Sequence, residues 1–210
     1  MMIRNFFILI IGLLLLVPGT SCAPKKPPIE RSHFILEPAK FPREKPPSVP
    51  AVLSIRNFKV SPGYQGRELI YKKECGRSSR DFHNHYFISP GPMLTQAVRD
   101  WLEDYGPFDA VIPLSSHRQP DYILEGAVVS MFGDFQNPDQ PKAVMRIQFL
   151  LLGAEGLDYD MIMHGTYHEE VLMDRPGAAP MISALNDCLS RILVRLEKDL
   201  VESIGERLQN

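Results

Sequence analysis

The block of residues 82–111 constrains the fold more than any other part of the chain. It reads FHNHYFISPGPMLTQAVRDWLEDYGPFDAV, which predicts a strand, a tight turn, an amphipathic helix and a second strand. In the helical part an apolar stripe recurs at intervals of three and four residues: Met93, Leu94, Ala97, Val98, Trp101, Leu102 and Tyr105. Pro92 suits a first helical turn, and Gly106 followed by Pro107 ends the helix. We expect the sheet to be built around this strand, helix and strand.

The first 21 residues predict a lipoprotein signal peptide. Arg4 precedes an apolar run, residues 6–17, that is too short to span a bilayer, since a spanning helix needs about 20 residues. Small residues then precede Cys22, a pattern similar to a bacterial lipobox, which makes Cys22 the predicted lipid attachment site. An ordinary signal peptide that leaves Cys22 as a free thiol is the alternative. Ala23 after the cysteine favours the outer membrane, with the domain facing the periplasm.

A proline-rich tether, residues 22–30, follows the predicted cleavage point. Its sequence, CAPKKPPIE, is too polar and too rich in proline to pack, so it predicts an extended segment. At about 3.1 Å per residue the tether reaches only some 25 Å, which places the folded part close to the membrane. A short strand, Ser32–Leu36, and a second proline-rich stretch come next.

The rest of the chain, residues 31–210, predicts one α+β domain with two layers. Residues 51–60 alternate as a strand does, and with residues 68–74 they predict a hairpin. Three further strands after residue 121 predict a meander, and a long apolar stripe from Met181 to Leu208 predicts a C-terminal helix. The expected architecture is a mixed, mostly antiparallel sheet with two main helices packed on it.

Charge and motifs argue against several classes of function. The net charge is −2 and the histidines are scattered, so the sequence shows no basic face of the kind that binds nucleic acid. The candidate metal ligands form the strand pairs His83 with His85 and His164 with His168, but no metal-binding motif accompanies them, so we expect structural or surface roles. Residues 115–117 do not make a catalytic triad, and Glu169 and Glu170 point to opposite faces of a strand. The sequence predicts no enzyme and no catalytic, cofactor-binding or metal-binding residues, which favours a role in binding or assembly.

The aromatic residues and the remaining cysteines leave alternatives open. Phe82, Tyr86 and Trp101 are expected in the core, although together with Phe87 they could instead line a lipid groove or a partner surface. Cys75 and Cys188 could pair as a disulfide in an oxidising periplasm. A buried free thiol at Cys188 is the alternative, since that residue lies in an apolar helical pattern.

Over residues 32–208 the chain resembles the ABC-type transport auxiliary lipoprotein family, whose PqiC-like members are associated with MCE-type lipid transport systems. The resemblance rests on HFILEP, VLSIRNFKV, the block at 82–111, PDYILEGAVVSMFGDF, and a strand pair before a long helix. It implies a periplasmic or outer-membrane lipoprotein that is not an enzyme. The implied partners are the MCE-family substrate-binding protein and its ABC permease and ATPase, which move phospholipids or other hydrophobic molecules across the envelope.

A second hypothesis of another class is an outer-membrane assembly or structural lipoprotein that binds a β-barrel protein or peptidoglycan. The sequence leaves the oligomeric state open, including a homo-oligomer. It does not reveal the transported molecule.

Overall fold

A computed structural model describes residues 31–40, 46, 49–113, 115–154 and 159–209. The predicted signal peptide, Cys22 and the tether lie outside these residues, as do residues 41–45 and 47–48 of the second proline-rich stretch. Within the part described, nine strands form one curled sheet, and two helices pack on it. The prediction of a single α+β domain is therefore confirmed.

The elements follow in chain order. The strands are β1 (Ser32–Phe34), β2 (Val49–Ile55), β3 (Lys59–Val60), β4 (Glu68–Lys73), β5 (Ser78–Tyr86), β6 (Phe108–Pro113), β7 (Tyr122–Phe135), β8 (Lys142–Gly153) and β9 (Asp160–Leu172). The helices are α1 (Pro90–Tyr105), between β5 and β6, and α2 (Ala178–Gln209), at the C-terminus. The 82–111 block thus forms the predicted strand, helix and strand, although β5 begins before it.

The long strand β7 organises the sheet. On one side it pairs antiparallel with β8, which pairs antiparallel with β9, so the predicted meander is present. On its other side it pairs in parallel with β2, β3 and β4 in turn along its length. Beyond these, β6 pairs with β2. On the other side, β5 pairs with β4, and β1 pairs with β5. The strands β5 and β6 that flank α1 are therefore separated by β4, β7 and β2 in the sheet.

The predicted hairpin between residues 51–60 and 68–74 is wrong. Both β3 and β4 pair with β7, for example Val60 with Val128 and Tyr71 with Gly133, and both run parallel to it. Alternation along a strand tells which face is buried but not which strand lies beside it. The hairpin that does form joins β4 to β5 through a turn at Glu74–Gly76, where Cys75 and Gly76 have positive φ angles.

One core joins both helices to the sheet. Trp101 of α1 is fully buried and donates a hydrogen bond from Nε1 to Glu197 Oε2 of α2 at 3.4 Å, which confirms the core position predicted for it. The stripe of α2 is buried as expected: Met181, Leu185, Leu189, Ile192, Leu193, Leu196, Leu200 and Ile204. Neither helix in the described ranges is long and apolar enough to cross a membrane.

Candidate docking surface at the sheet edge

The aspartate Asp81 interrupts the regular course of β5. Its carboxylate accepts hydrogen bonds from the backbone N–H groups of His83 (2.8 Å) and Asn84 (3.0 Å), from the Asn84 side chain (2.9 Å) and from the Tyr71 hydroxyl of β4 (2.7 Å). At this place the pairing of β4 with β5 shifts register, between Glu68 and Ile70. The Asp81 carboxylate thus holds a bulge in β5.

The hydrogen bonds to Asp81 also set its ionisation. Partial burial acts to raise the pKa of the carboxyl, but the bonds from Tyr71, Asn84 and the two backbone N–H groups outweigh it and lower the pKa to about 2. Donors that bind the charged form stabilise it against protonation. Asp81 is therefore ionised at neutral pH, and its hydrogen bonds hold the side chain in place against β5.

The bulge separates two aromatic residues that were expected to share the core. Tyr86 is buried as predicted, but the core position predicted for Phe82 is wrong, because 62% of Phe82 is exposed. In a regular strand, residues four apart lie on the same face. Because the bulge breaks this alternation, Phe82 faces solvent, where the Arg31 guanidinium lies 5.5 Å from its ring centroid.

The strand β1 completes this edge of the sheet. It pairs in parallel with β5, His33 opposite His85 and Phe34 opposite Tyr86, and the Phe87 N–H donates to the Phe34 carbonyl oxygen at 2.7 Å. Phe34 packs against the core, so His33 points the other way. The His33 ring lies 6.1 Å from that of His85 and 6.4 Å from that of Phe87, which is 58% exposed.

Two isoleucines extend the exposed apolar surface towards α1. Ile35 is 47% exposed and Ile88 is 41% exposed, and both line a groove of about 530 Å³ whose inner wall includes Leu36 and Met93. We call Ile35, Phe82, Phe87 and Ile88 the apolar edge. Monomeric soluble proteins seldom leave large apolar side chains grouped in this way, so the apolar edge is a candidate docking surface.

The open face of the meander carries a second, more polar groove of about 380 Å³. Its lining includes Arg56, Lys59, Glu125, Gln148 and His164. Arg56 forms an ion pair with Glu125 and lies 5.4 Å from the Tyr159 ring centroid. The groove can therefore offer charges of both signs to a polar ligand or to side chains of a partner.

The histidines singled out in the sequence lie apart. His83 contacts Phe82, whereas His85 lies beside His33, and on β9 His168 lies 3.5 Å from Glu170. Among the residues that the structure describes, no three histidine, cysteine or carboxylate side chains are grouped so that they could hold a metal ion.

The residues that were considered for catalysis, Ser116 among residues 115–117 and the pair Glu169 and Glu170, bind other neighbours. The Ser116 hydroxyl accepts a hydrogen bond from the Arg118 N–H in the segment after β6. Glu169 binds Arg195 of α2 at 2.8 Å, whereas Glu170 binds Lys142 of β8 at 2.6 Å. The two glutamates therefore point to opposite faces of β9, as predicted.

The two cysteines of the domain are free thiols in the structure and are not joined as a disulfide. Cys75 is exposed in the turn between β4 and β5. Cys188 is fully buried in α2, with its sulfur 3.8 Å from the Ala143 carbonyl oxygen, and burial raises the pKa of its thiol to about 12. Such a thiol stays protonated and unreactive at neutral pH. Cys22, the predicted lipid attachment site, lies outside the described residues.

Ile35, Ile88 and His33 were not predicted from the sequence to lie on an exposed surface. One signal was present, since the run Tyr86, Phe87, Ile88 directly precedes the Ser-Pro that begins α1. Adjacent residues of a strand point to opposite faces, so three consecutive apolar residues cannot all reach one core.

Solved structures share the fold. A crystal structure of protein XCC0632 from Xanthomonas campestris, of the family DUF330, matches with a TM-score of 0.73 and 17% identity over 85% of this chain and 100% of that one. An uncharacterized protein matches with a TM-score of 0.61 and 14% identity over 81% and 99% of the two chains. The hypothetical protein CT253 from Chlamydia trachomatis matches with a TM-score of 0.50 and 7% identity, over 71% and 96%. No family model and no curated protein matches the sequence.

Proposed function

We propose that this protein is a lipid-anchored auxiliary component of an MCE-type ABC transport system, which moves phospholipids or other hydrophobic molecules across the cell envelope. It acts by docking to protein partners and not by catalysis. Cys22 carries the lipid anchor, most simply in the outer membrane with the domain facing the periplasm. The partners are the MCE-family substrate-binding protein and its permease and ATPase.

One observation carries the proposal. The 82–111 block, the most specific part of the family resemblance, forms β5, α1 and β6, and these elements belong to a fold shared with a DUF330 protein along that protein's whole length. A shared fold does not by itself imply a shared function. The proposal therefore joins the fold to the sequence evidence for a lipid anchor at Cys22.

The described surface also supports docking. Large apolar side chains are exposed at the apolar edge, and a groove with both charge signs lies on the open face of the meander. Protein interfaces draw on both kinds of feature, an apolar centre and a polar rim. The domain thus offers two separate surfaces, so it can contact two neighbours at once.

Affinity capture of the lipidated full chain from native membranes tests the proposal. Brief crosslinking before solubilisation should recover an MCE-family protein together with its permease or ATPase. A variant with both Arg56→Glu and Lys59→Glu, which reverses the charge of the open-face groove, tests where the partner binds. Reduced recovery with that variant would assign the partner to this groove.

Other captured proteins would decide between the hypotheses. Recovery of a β-barrel protein or of peptidoglycan without any MCE or ABC component would overturn the proposal. That result would favour the assembly or structural lipoprotein instead.

A further inference from the structure

We infer that the apolar edge rests on the surface of the phospholipid bilayer that holds the lipid anchor. Ile35, Phe82, Phe87 and Ile88 would insert among the headgroups and the first acyl carbons. This inference rests on the lipid anchor of the proposed function and adds to it the face of the domain that meets the membrane. The open face of the meander then stays free for a protein partner.

The tether joins the domain next to the apolar edge. The described chain begins at Arg31, whose guanidinium lies over the Phe82 ring, and Ser32 pairs at once with Asn84 of β5. In extended polyproline form, at about 3.1 Å per residue, the chain from Cys22 to Arg31 reaches about 28 Å. The anchor therefore holds β1 and β5 close to the bilayer.

The order of the strands supports the same orientation. A path of paired strands runs from β1 through β5, β4, β7 and β8 to β9, so β1 and β9 lie at opposite ends of it. With neighbouring strands about 4.8 Å apart, β9 lies some 24 Å of sheet away from β1. Other exposed apolar residues, Met161 and Leu172, lie on β9, at the other end of this path.

The side chains of the apolar edge suit an interface between water and lipid. The four residues of the apolar edge are between 41% and 62% exposed, and an interface between water and lipid removes apolar surface from water. The Arg31 cation beside Phe82 suits the phosphate groups of lipids.

Of the carboxylates on this part of β4 and β5, Asp81 keeps its negative charge and Glu68 is paired with a cation. Asp81 accepts four hydrogen bonds within the domain, and Glu68 forms an ion pair with Arg80 at 3.2 Å. Glu37 and Asp100 line the groove on the side of Ile35, where Lys40 is paired with Asp104. The side that carries Phe82 and Phe87 is therefore the part of the apolar edge best suited to anionic headgroups.

Quenching by brominated lipid tests the inference in the lipidated full chain. The protein is reconstituted into vesicles of phosphatidylethanolamine and phosphatidylglycerol, with or without brominated acyl chains. Trp101 is the single tryptophan and is fully buried, so it serves as an internal baseline. Phe87→Trp places a probe on the apolar edge, and Leu172→Trp, at a residue that is 69% exposed on β9, is the matched control.

We expect brominated lipid to remove at least half of the fluorescence that Phe87→Trp adds, and to leave that of Leu172→Trp unchanged. Equal quenching at both positions, or none at Phe87→Trp in protein that stays bound to the vesicles, would overturn the inference and leave the proposed anchor intact. A blue shift at Phe87→Trp without quenching would mean that a second copy covers the edge, which also overturns it. Failure of the wild-type protein to stay on vesicles would instead overturn the anchor itself.

Discussion

At the scale of single residues, Asp81 and Trp101 show two different ways in which this domain is held together. Asp81 uses one carboxylate to satisfy three donors of its own strand and one from the neighbouring strand. Trp101 contributes through burial and joins the two helices. The contribution of Asp81 depends on charge and therefore on pH, whereas the contribution from burying the Trp101 ring does not.

Replacing Asp81 by asparagine should remove a stabilisation that depends on pH. The folded-state pKa of about 2 lies below the unfolded value of about 3.9. The contribution of Asp81 is therefore complete above about pH 4 and is lost as the pH falls towards 2. Because the site is partly exposed, we expect Asp81→Asn to lower the free energy of unfolding by about 1 kcal/mol at pH 7 and by almost nothing at pH 2.

Urea unfolding of both proteins at several pH values would measure this difference. Asp109→Asn, at an exposed residue of β6, is a suitable control and should change stability by less than about 0.5 kcal/mol. If the difference in the free energy of unfolding between Asp81→Asn and the wild type were independent of pH, the carboxylate charge would not hold the bulge.

Trp101→Ala should destabilise the domain strongly. Its side chain is fully buried between α1 and α2, so truncation leaves a large cavity, and we expect a loss of about 3–5 kcal/mol in the free energy of unfolding. Leu172→Ala, at a residue that is 69% exposed, should cost less than about 0.5 kcal/mol. A loss below about 1 kcal/mol for Trp101→Ala, measured by urea denaturation, would contradict the buried position.

At the scale of elements, the segment between β2 and β3 locks α1 to the sheet. The Phe58 N–H donates to Thr95 Oγ1 of α1 at 2.9 Å, and the Phe58 ring packs edge to face against Phe149 of β8 at 5.6 Å. A Cβ atom added at Gly126 of β7 would lie 2.5 Å from a Phe58 ring carbon. The glycine is therefore required for space, so that Phe58 can lie flat on β7.

Gly126→Ala should disturb this contact and lower the free energy of unfolding by about 1–3 kcal/mol, as overpacking of a core does. The matched control is Gly205→Ala in α2, where an added Cβ meets no atom within 4 Å. Because alanine favours a helix more than glycine does, the control should raise stability by about 0.5 kcal/mol. Thermal unfolding followed by circular dichroism would distinguish the two, and a neutral Gly126→Ala would show that Phe58 can move without cost.

At the scale of the whole molecule, the described core begins beyond the predicted anchor in the sequence. Its described residues run from Leu36 to Ile204, with Phe34 packed against them, and they include side chains of both helices and of the long strands. The anchor should therefore decide where the protein is and not whether it folds.

Cys22→Ser should release the protein from the membrane fraction and leave its unfolding transition unchanged. Fractionation of cells that express the variant, followed by urea unfolding of the released protein, would test both expectations. A variant that stays in membranes would show that the uncleaved signal sequence is the anchor.

The architecture was predictable from the sequence where the information is local. The helices α1 and α2 follow from apolar residues at intervals of three and four, and the burial of Trp101 and Tyr86 was predicted correctly. The meander followed from long alternating runs separated by turn residues. In each case the pattern lies within one element, so it can be read without knowledge of the neighbours.

The tertiary structure decided the partners of β3 and β4 and the position of Phe82. Strand alternation specifies a face, but the choice of neighbour depends on a third strand, β7, whose long free side accepts β2, β3 and β4 in turn. Phe82 faces solvent because the Asp81 carboxylate holds a bulge with help from Tyr71, a residue of another strand. Contacts between residues distant in the sequence have no local pattern, and for this reason the apolar edge emerged only from the folded chain.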